Sequence, residues 1–271
     1  MDFALVRSMI APMRQKASET AELADESLCG YKVELLEQVG EWYLIRTHYC
    51  YEGWVHASHL CLEKSLVQQW DACQKQVVLQ AHADILTVPK VQGHLVAELT
   101  RGALVSPLDE ESNGWKKVRL CDGREGWTWG AFLGKYLTSW SKENEKKLRT
   151  ALAETAMSYF GTQYRWGGKT PLGIDCSGLC SMAYLLNGIV ICRDAHMPAE
   201  FCMHPIEFEN MKTGDLMFFP GHVAMYLGNQ RYVHSTAGNN CHGVVINSLD
   251  PQAEDYRADL PKMLKGVGSI F

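Results

Sequence analysis

The feature that most restricts the fold of this chain is a duplicated pair of tryptophans in its first half. Trp42 and Trp54 are twelve residues apart, as are Trp115 and Trp127, and Glu-Gly stands directly before the second tryptophan of each pair. In both copies apolar and polar residues alternate on either side of a polar turn, which is the pattern of a β-hairpin. The repeat therefore predicts two small all-β modules in tandem.

Both copies resemble the bacterial SH3-type fold, in which a strand with a tryptophan, a polar turn and a Gly-Trp strand follow one another. Modules of this type often accompany enzymes that act on the bacterial cell wall. We therefore expect a first SH3-like β-barrel at residues 1–64 and a second one at residues 65–137.

A third domain is expected at residues 138–271. It opens with the polar and charged residues 138–147, which predict a linker that runs into a helix. Leu148, Leu152 and Ala156 then recur at helical spacing, so the linker is expected to continue as an amphipathic helix.

Cys176 stands at the start of another predicted helix. Apolar residues recur at helical spacing after it, and Asp175 directly before it is a suitable N-cap residue. The helix dipole favours a thiolate in the first turn, which predicts a lowered pKa for the Cys176 thiol. Cys180, four residues later, is expected to be a small buried hydrophobic side chain.

Two histidines follow on predicted strands. His222 begins one strand, His234 lies on the next, and the Gly228-Asn229 turn between them centres a hairpin that places the two imidazoles opposite or diagonal to each other. Two adjacent imidazoles suit a general base and the residue that orients it. A lone strand histidine is usually structural, but this pair behind a cysteine at a helix start predicts a cysteine peptidase site.

The second half of the chain resembles the NlpC family of bacterial cell-wall cysteine peptidases, from residue 148 to about residue 255. Five motifs match in order and spacing, at residues 161–168, 175–178, 213–216, 221–223 and 232–235. The resemblance implies an α+β fold, with a papain-like, NlpC-type catalytic domain preceded by two small SH3-like β-barrels. It implies no metal and no organic cofactor.

The resemblance also implies a role for each residue of the site. Cys176 is expected to be the nucleophile, His222 the general base and acid, and His234 the residue that orients His222. Tyr164 is expected to help form the oxyanion site together with the backbone N–H of Cys176.

Family members cut the amide bond between γ-linked D-glutamate and a diamino acid in murein peptides. Two SH3-type modules and the absence of a recognisable signal segment look like a narrower subgroup. That subgroup recycles free murein tri- and tetrapeptides in the cytoplasm, requires a free N-terminal L-Ala and releases L-Ala-γ-D-Glu. The expected partner is therefore a murein tri- or tetrapeptide and the expected location is the cytoplasm. A secreted wall hydrolase is the alternative if a signal was removed.

By the same resemblance six residues are expected to contact the peptide, mostly at its amine end. They are Glu22 and Tyr51 of the first module, which closes one end of the cleft, and Trp166, Asp175, Ser177 and Asp194 near the nucleophile. A carboxylate such as Glu22 is what a buried ammonium group requires. Surface charge, barrel packing and a surface loop are the alternative explanations for Glu22, Tyr51 and Asp194. Ala195 stands where family members can have a ligand-binding serine.

Composition excludes several other classes of function. The net charge of −5 offers no basic surface for nucleic acid, and no run of 18 apolar residues predicts a membrane span. The ten cysteines include no C-x-x-C pair, which favours reduced thiols over a disulfide scaffold. The spacing of Cys192, His196, Cys202 and His204 matches no zinc site. No residue indicates an oligomeric state or a choice between lysine and diaminopimelate.

Two other classes of function remain open from the sequence. A murein-binding protein with an inert catalytic domain would bind wall material without turnover. An acyltransferase on the same Cys-His scaffold would pass the acyl group to an acceptor instead of water.

Overall fold

The computed structural model describes residues 2–271. The chain forms two compact units, an N-terminal unit up to Tyr136 and a C-terminal unit from Leu137 to Phe271. The N-terminal unit contains two seven-stranded sheets, and the C-terminal unit contains one six-stranded and one two-stranded sheet.

The first sheet of the N-terminal unit, called here the first module, has the strand order β3-β2-β6-β5-β4-β1-β7. Its strands are β1 (Asp2–Val6), β2 (Ile10–Arg14), β3 (Leu23–Leu28), β4 (Lys32–Val39), β5 (Trp42–Arg46), β6 (Glu52–His56) and β7 (Leu60–Cys61). Alternate residues of these strands form its core, which includes Val33, Ile45 and Val55.

The second module repeats this architecture after helix α1 (Lys64–Ala72). Its strands are β8 (Gln76–Val78), β9 (His82–Leu86), β10 (Leu95–Thr100), β11 (Leu104–Ser112), β12 (Trp115–Arg119), β13 (Glu125–Trp129) and β14 (Leu133–Lys135). The order β10-β9-β13-β12-β11-β8-β14 matches the first module strand for strand. The duplication predicted from the paired tryptophans is confirmed.

The two modules pack closely where Gly30 meets Leu104. The Leu104 N–H donates to the Cys29 carbonyl over 2.8 Å, and the Trp70 indole of α1 donates to the Gly30 carbonyl over 2.7 Å. Gly30 has a φ of +88°, and a Cβ there would lie 2.6 Å from the Leu104 carbonyl oxygen. Glycine is therefore required at this contact.

The C-terminal unit is built on an antiparallel sheet with the order β17-β22-β18-β19-β20-β21. Its strands and helices are α2 (Glu145–Met157), β15 (Lys169–Thr170), β16 (Gly173–Ile174), α3 (Cys176–Leu185), β17 (His204–Ile206), β18 (Leu216–Phe219), β19 (His222–Gly228), β20 (Arg231–Thr236), β21 (Gly243–Ser248), α4 (Leu260–Met263) and β22 (Gly266–Ser269).

Helix α3 packs against α2, β19 and β20. The predicted amphipathic helix is confirmed as α2, with Leu152 and Ala156 fully buried. Leu179 and Met182 of α3 are also fully buried. Gly188 ends the turn after α3 with a φ of +80°. These contacts hold α3 against the two adjacent strands, β19 and β20.

All ten cysteines are free thiols, and Cys180 is buried as expected. None of the helices within residues 2–271 has both the length and the apolar character needed to span a membrane.

Candidate active site

The Cys176 thiol lies at the first position of α3. Asp175 is the N-cap residue, as predicted, and its carboxylate accepts from the Gly178 N–H over 2.6 Å. Cys176 is only 6% exposed. The cap therefore fixes the start of the helix that carries the thiol.

Burial raises the pKa of the Cys176 thiol to about 11, and the negative charge of Asp175 acts in the same direction. The backbone N–H groups of Val223 and Ser177 and the charge of Arg193 lower the pKa by less. The lowered thiol pKa predicted from the helix dipole is therefore wrong for the free site, because burial outweighs the dipole. The thiol is protonated at neutral pH and needs a base.

The two histidines meet across the β19–β20 hairpin. Met225 pairs with Val233, which places His222 diagonally opposite His234. The rings are joined by a hydrogen bond of 2.7 Å between His222 Nε2 and His234 Nδ1, with ring centroids 5.0 Å apart. The side-by-side arrangement predicted from the hairpin is confirmed.

Both imidazoles are neutral at pH 7. Burial, followed by the charges of His234 and Arg257, lowers the pKa of His222 to about 3. Burial also lowers the pKa of His234 to about 4, although a hydrogen bond to Asn247 opposes the shift. The resting site is thus an uncharged thiol with two uncharged imidazoles.

Asn247 extends the pair to a third strand. Tyr232 of β20 pairs with Asn247 of β21, so Asn247 lies diagonally opposite His234. Its Oδ1 lies 2.9 Å from His234 Nε2, and its Nδ2 donates to the Asp255 carbonyl over 2.6 Å. We call the hydrogen-bonded series His222, His234 and Asn247 the relay.

A buried ion pair includes Asp175, the residue directly before the nucleophile. Arg193 is 3% exposed and donates to both carboxylate oxygens of Asp175, over 3.0 and 2.9 Å, and to Ser177 Oγ over 2.8 Å. The Asp175 carboxylate also accepts from Ser177 Oγ over 3.2 Å and from the N–H groups of Gly167, over 2.9 Å, and Gly178. We call this group the clamp.

Arg193 and Asn247 were not identified from the sequence as site residues. The available signal for Arg193 was a lone arginine after the apolar residues 189–192, because a buried arginine needs a carboxylate. Asn247 follows the apolar residues 244–246 and had no signal of its own. Its contact with His234 depends on the register of two strands, which the sequence does not specify.

Three other predicted residues belong to the C-terminal unit and are less buried than the thiol. Tyr164 is half-buried, and burial with the charges of Cys176 and Asp175 raises its pKa to about 12. Its phenol is therefore a hydrogen-bond donor at neutral pH. Trp166 is 60% exposed, and Asp194 is exposed beside buried Arg193.

Glu22 and Tyr51 lie in the first module. Glu22 is exposed directly before β3, and Tyr51 packs partly buried against the core of that module. The buried carboxylates of the same strand are Asp25 and Glu26, and the Tyr49 hydroxyl donates to Asp25. The ligand roles of Glu22 and Tyr51 stay predictions.

Potential metal ligands lie elsewhere. Cys192 Sγ is 3.7 Å from His196 Nε2. Within residues 2–271, the one group of three such side chains with ligand atoms within 4.8 Å of one another is His82, Asp84 and Glu98, all exposed in the second module.

Two family models match the sequence. Residues 161–257 match the NlpC/P60 family, and residues 11–60 match the bacterial SH3 domain. The first match includes the clamp residues, the thiol and the relay, and the second covers most of the first module.

Similar proteins span the whole chain. A protein of Lysinibacillus sphaericus named dipeptidyl-peptidase 6 is 40% identical over 272 residues, covering 99% of each chain. A γ-D-glutamyl-L-lysine dipeptidyl-peptidase of Bacillus cereus is 23% identical, covering 92% of this chain and 78% of its own. The crystal structure of a Bacillus cereus NlpC/P60 family protein superimposes with a TM-score of 0.79 at 19% identity, covering 98% of both chains. The predicted fold, a papain-like domain after an SH3-like β-rich region, is confirmed.

Proposed function

The chain belongs to the NlpC/P60 family of peptidases, and on that basis we propose that it is a cysteine peptidase that cuts the bond between γ-D-glutamate and the L-diamino acid of murein peptides. One observation carries the proposal: the buried thiol at the start of α3 accepts from the backbone N–H of Val223, and the neighbouring His222 is hydrogen-bonded to His234. A buried nucleophile with a neutral, oriented base is the arrangement that acyl transfer requires.

The reaction begins when His222 takes the proton of the Cys176 thiol. Burial disfavours each charge alone, but the thiolate and the imidazolium stabilise each other when they form together. The thiolate attacks the γ-carbonyl carbon of D-glutamate, and the backbone N–H of Cys176 and the Tyr164 phenol donate to the oxyanion. Each such donor is worth about 3 kcal/mol of transition-state stabilisation. His222 then protonates the departing amine, and water hydrolyses the thioester.

The substrate class rests on the resemblance of the motifs and on the name of the Bacillus cereus relative, which specifies γ-D-glutamyl-L-lysine. In this proposal Trp166 and Ser177 contact the end of the peptide that carries its amine, and Asp194 lies near that end. Glu22 and Tyr51 of the first module bind the free N-terminal L-Ala.

Mass spectrometry of the products tests the reaction. The peptides are L-Ala-γ-D-Glu-L-Lys, its diaminopimelate counterpart and N-acetylated versions of both. We expect L-Ala-γ-D-Glu and the free diamino acid from the unblocked peptides only, and no turnover by Cys176→Ala. Cys180→Ala, which removes a buried thiol one helical turn away, is the matched control and keeps activity.

Each way in which this proposal could be wrong gives a different experimental result. Cleavage by Cys176→Ala contradicts the mechanism, and equal cleavage of the acetylated peptides contradicts the requirement for a free amine. Binding of intact murein without turnover indicates a binding protein. Transfer of the acyl group to an added amine in place of hydrolysis indicates an acyltransferase.

The proposal includes action on free murein peptides in the cytoplasm. Fractionation of cells followed by immunoblotting checks this part. Recovery of the protein in the culture medium contradicts it and favours a secreted wall hydrolase.

A further inference from the structure

The hydrogen bonds of the relay all run in one direction, and the backbone carbonyl of Asp255 sets that direction. The Asp255 carbonyl oxygen can only accept, so the side-chain group of Asn247 that faces it over 2.6 Å is the NH₂ group. The other end of the amide, Oδ1, therefore faces His234 Nε2 over 2.9 Å. An amide oxygen also only accepts, so His234 Nε2 carries a hydrogen.

This assignment passes along the relay to His222. A neutral imidazole carries one hydrogen, so His234 Nδ1 is an acceptor. His222 Nε2, 2.7 Å away, must then donate to it. The only nitrogen of His222 left for the thiol is Nδ1, and it is unprotonated, which is the form that a general base needs.

We propose that Asn247 is a positioning residue that sets the tautomers of both histidines and so keeps His222 Nδ1 free to accept the thiol proton. An asparagine suits this task because its amide oxygen holds the proton of His234 at Nε2 without carrying a charge. A carboxylate at this position would stabilise a doubly protonated His234, whose Nδ1–H would force the proton of His222 onto Nδ1. The base would then be blocked. The proposal rests on the proposed cysteine peptidase function only in naming the thiol as the proton donor.

The other charged groups that act on the two rings, Arg257 and Asp259, have opposing effects on the pKa of each histidine. They act on the rings through their charges, whereas Asn247 is hydrogen-bonded to His234. The titratable groups next to the relay are Cys176, which accepts from the N–H of Val223 beside His222, and Tyr232, whose ring centroid lies 5.2 Å from that of His234. The Arg231–Asp255 ion pair includes the residue whose carbonyl accepts from Asn247.

Nitrogen-15 NMR of the histidine rings tests the assignment on the unmodified protein. Long-range couplings distinguish Nε2–H from Nδ1–H tautomers. We expect both His222 and His234 to be neutral Nε2–H tautomers at pH 7.5. An Nδ1–H tautomer at either ring overturns the proposal, and this result does not depend on any variant folding correctly.

Asn247→Asp tests the consequence. We expect kcat to fall at least 10-fold at pH 7 with KM within twofold of wild type, and the acid limb of the kcat profile to move up by at least 1 pH unit. The matched control is Asn187→Asp, because Asn187 is also half-buried and its Nδ2 donates to the Ala183 carbonyl over 2.8 Å, remote from the relay in the chain. Asn187→Asp is expected to keep the wild-type profile. An acid limb that is identical in Asn247→Asp and wild type overturns the proposal.

A second readout separates this inference from the proposed function. The rate at which iodoacetamide alkylates Cys176, followed by peptide mass spectrometry, needs no murein substrate. We expect the same shift of its pH profile in Asn247→Asp. If the wild-type protein cleaves no murein peptide while the tautomers and the alkylation shift are as expected, the proposed function fails and the role of Asn247 stands.

Discussion

Two polar networks flank Cys176, and they differ in charge and in form. The clamp is an ion pair in which five hydrogen bonds converge on the Asp175 carboxylate. The relay is a series of uncharged groups, each joined to the next by one hydrogen bond. The clamp can hold a fixed geometry, whereas the relay can change the position of a proton without creating an isolated charge. The site therefore uses charge where atoms must stay in place and neutrality where a proton must move.

The physical reason lies in the cost of buried charge. An arginine stays protonated at any working pH, so its pair with a carboxylate is permanent and removal of one partner leaves a costly unpaired charge. An imidazole held neutral by burial can accept a proton when a neighbouring thiolate forms. The networks are thus complementary, although both are buried.

The largest expected effect comes from breaking the clamp. Arg193→Met leaves the buried Asp175 carboxylate without its counter-charge, so we expect the free energy of unfolding to fall by about 3–5 kcal/mol. The uncompensated charge also raises the pKa of the Cys176 thiol further, so alkylation of Cys176 should slow. Urea unfolding and alkylation rates measure the two effects.

Two comparisons control for this result. Arg231→Met breaks an exposed pair with Asp255, so we expect it to cost at most about 1 kcal/mol. The double variant Asp175→Asn with Arg193→Met should recover part of the loss, since asparagine still caps α3 and no charge is left unpaired. A loss no greater in Arg193→Met than in Arg231→Met contradicts the clamp.

Much of the fold and the reacting groups of the site could be predicted from the sequence. The spacing of Trp42 and Trp54, repeated at Trp115 and Trp127, predicts both β-rich modules because hairpin patterns are local. Cys176 and its N-cap are also local, since a cap and the helix that follows it are adjacent in the chain.

The supporting residues could not be predicted in the same way. Asn247 reaches His234 only through the register of β20 and β21, and Arg193 reaches Asp175 across 18 residues of chain. The thiol pKa was predicted wrongly for a related reason. Burial of Cys176 depends on tertiary packing, whereas the helix dipole can be read from local sequence.

The relay should make stability depend on pH in the acid range. The pKa values of His222, about 3, and His234, about 4, lie below the ordinary value of 6.5, so the unfolded chain binds their protons more tightly. Their contribution is fully present above pH 6.5 and is lost as the pH falls toward the folded-state values. We expect a loss of about 2 to 3 kcal/mol per histidine between pH 7 and pH 4.

Urea unfolding at a series of pH values measures this loss. His222→Gln should flatten the acid slope by the contribution of one histidine. An unchanged slope in His222→Gln would show that neither the burial nor the neutrality of the relay is as described.

The smallest expected effect on stability is at Trp166, which belongs to neither network. Its side chain is 60% exposed, so Trp166→Ala should change the free energy of unfolding by no more than about 0.5 kcal/mol. If Trp166 forms a wall for the peptide, loss of its ring should raise KM several-fold with little change in kcat, because the ring contacts substrate and transition state alike. Phe160→Ala, which removes a 59% exposed ring from the same unit, is the matched control and should leave KM unchanged. Equal effects of the two variants on KM would remove Trp166 from the binding site.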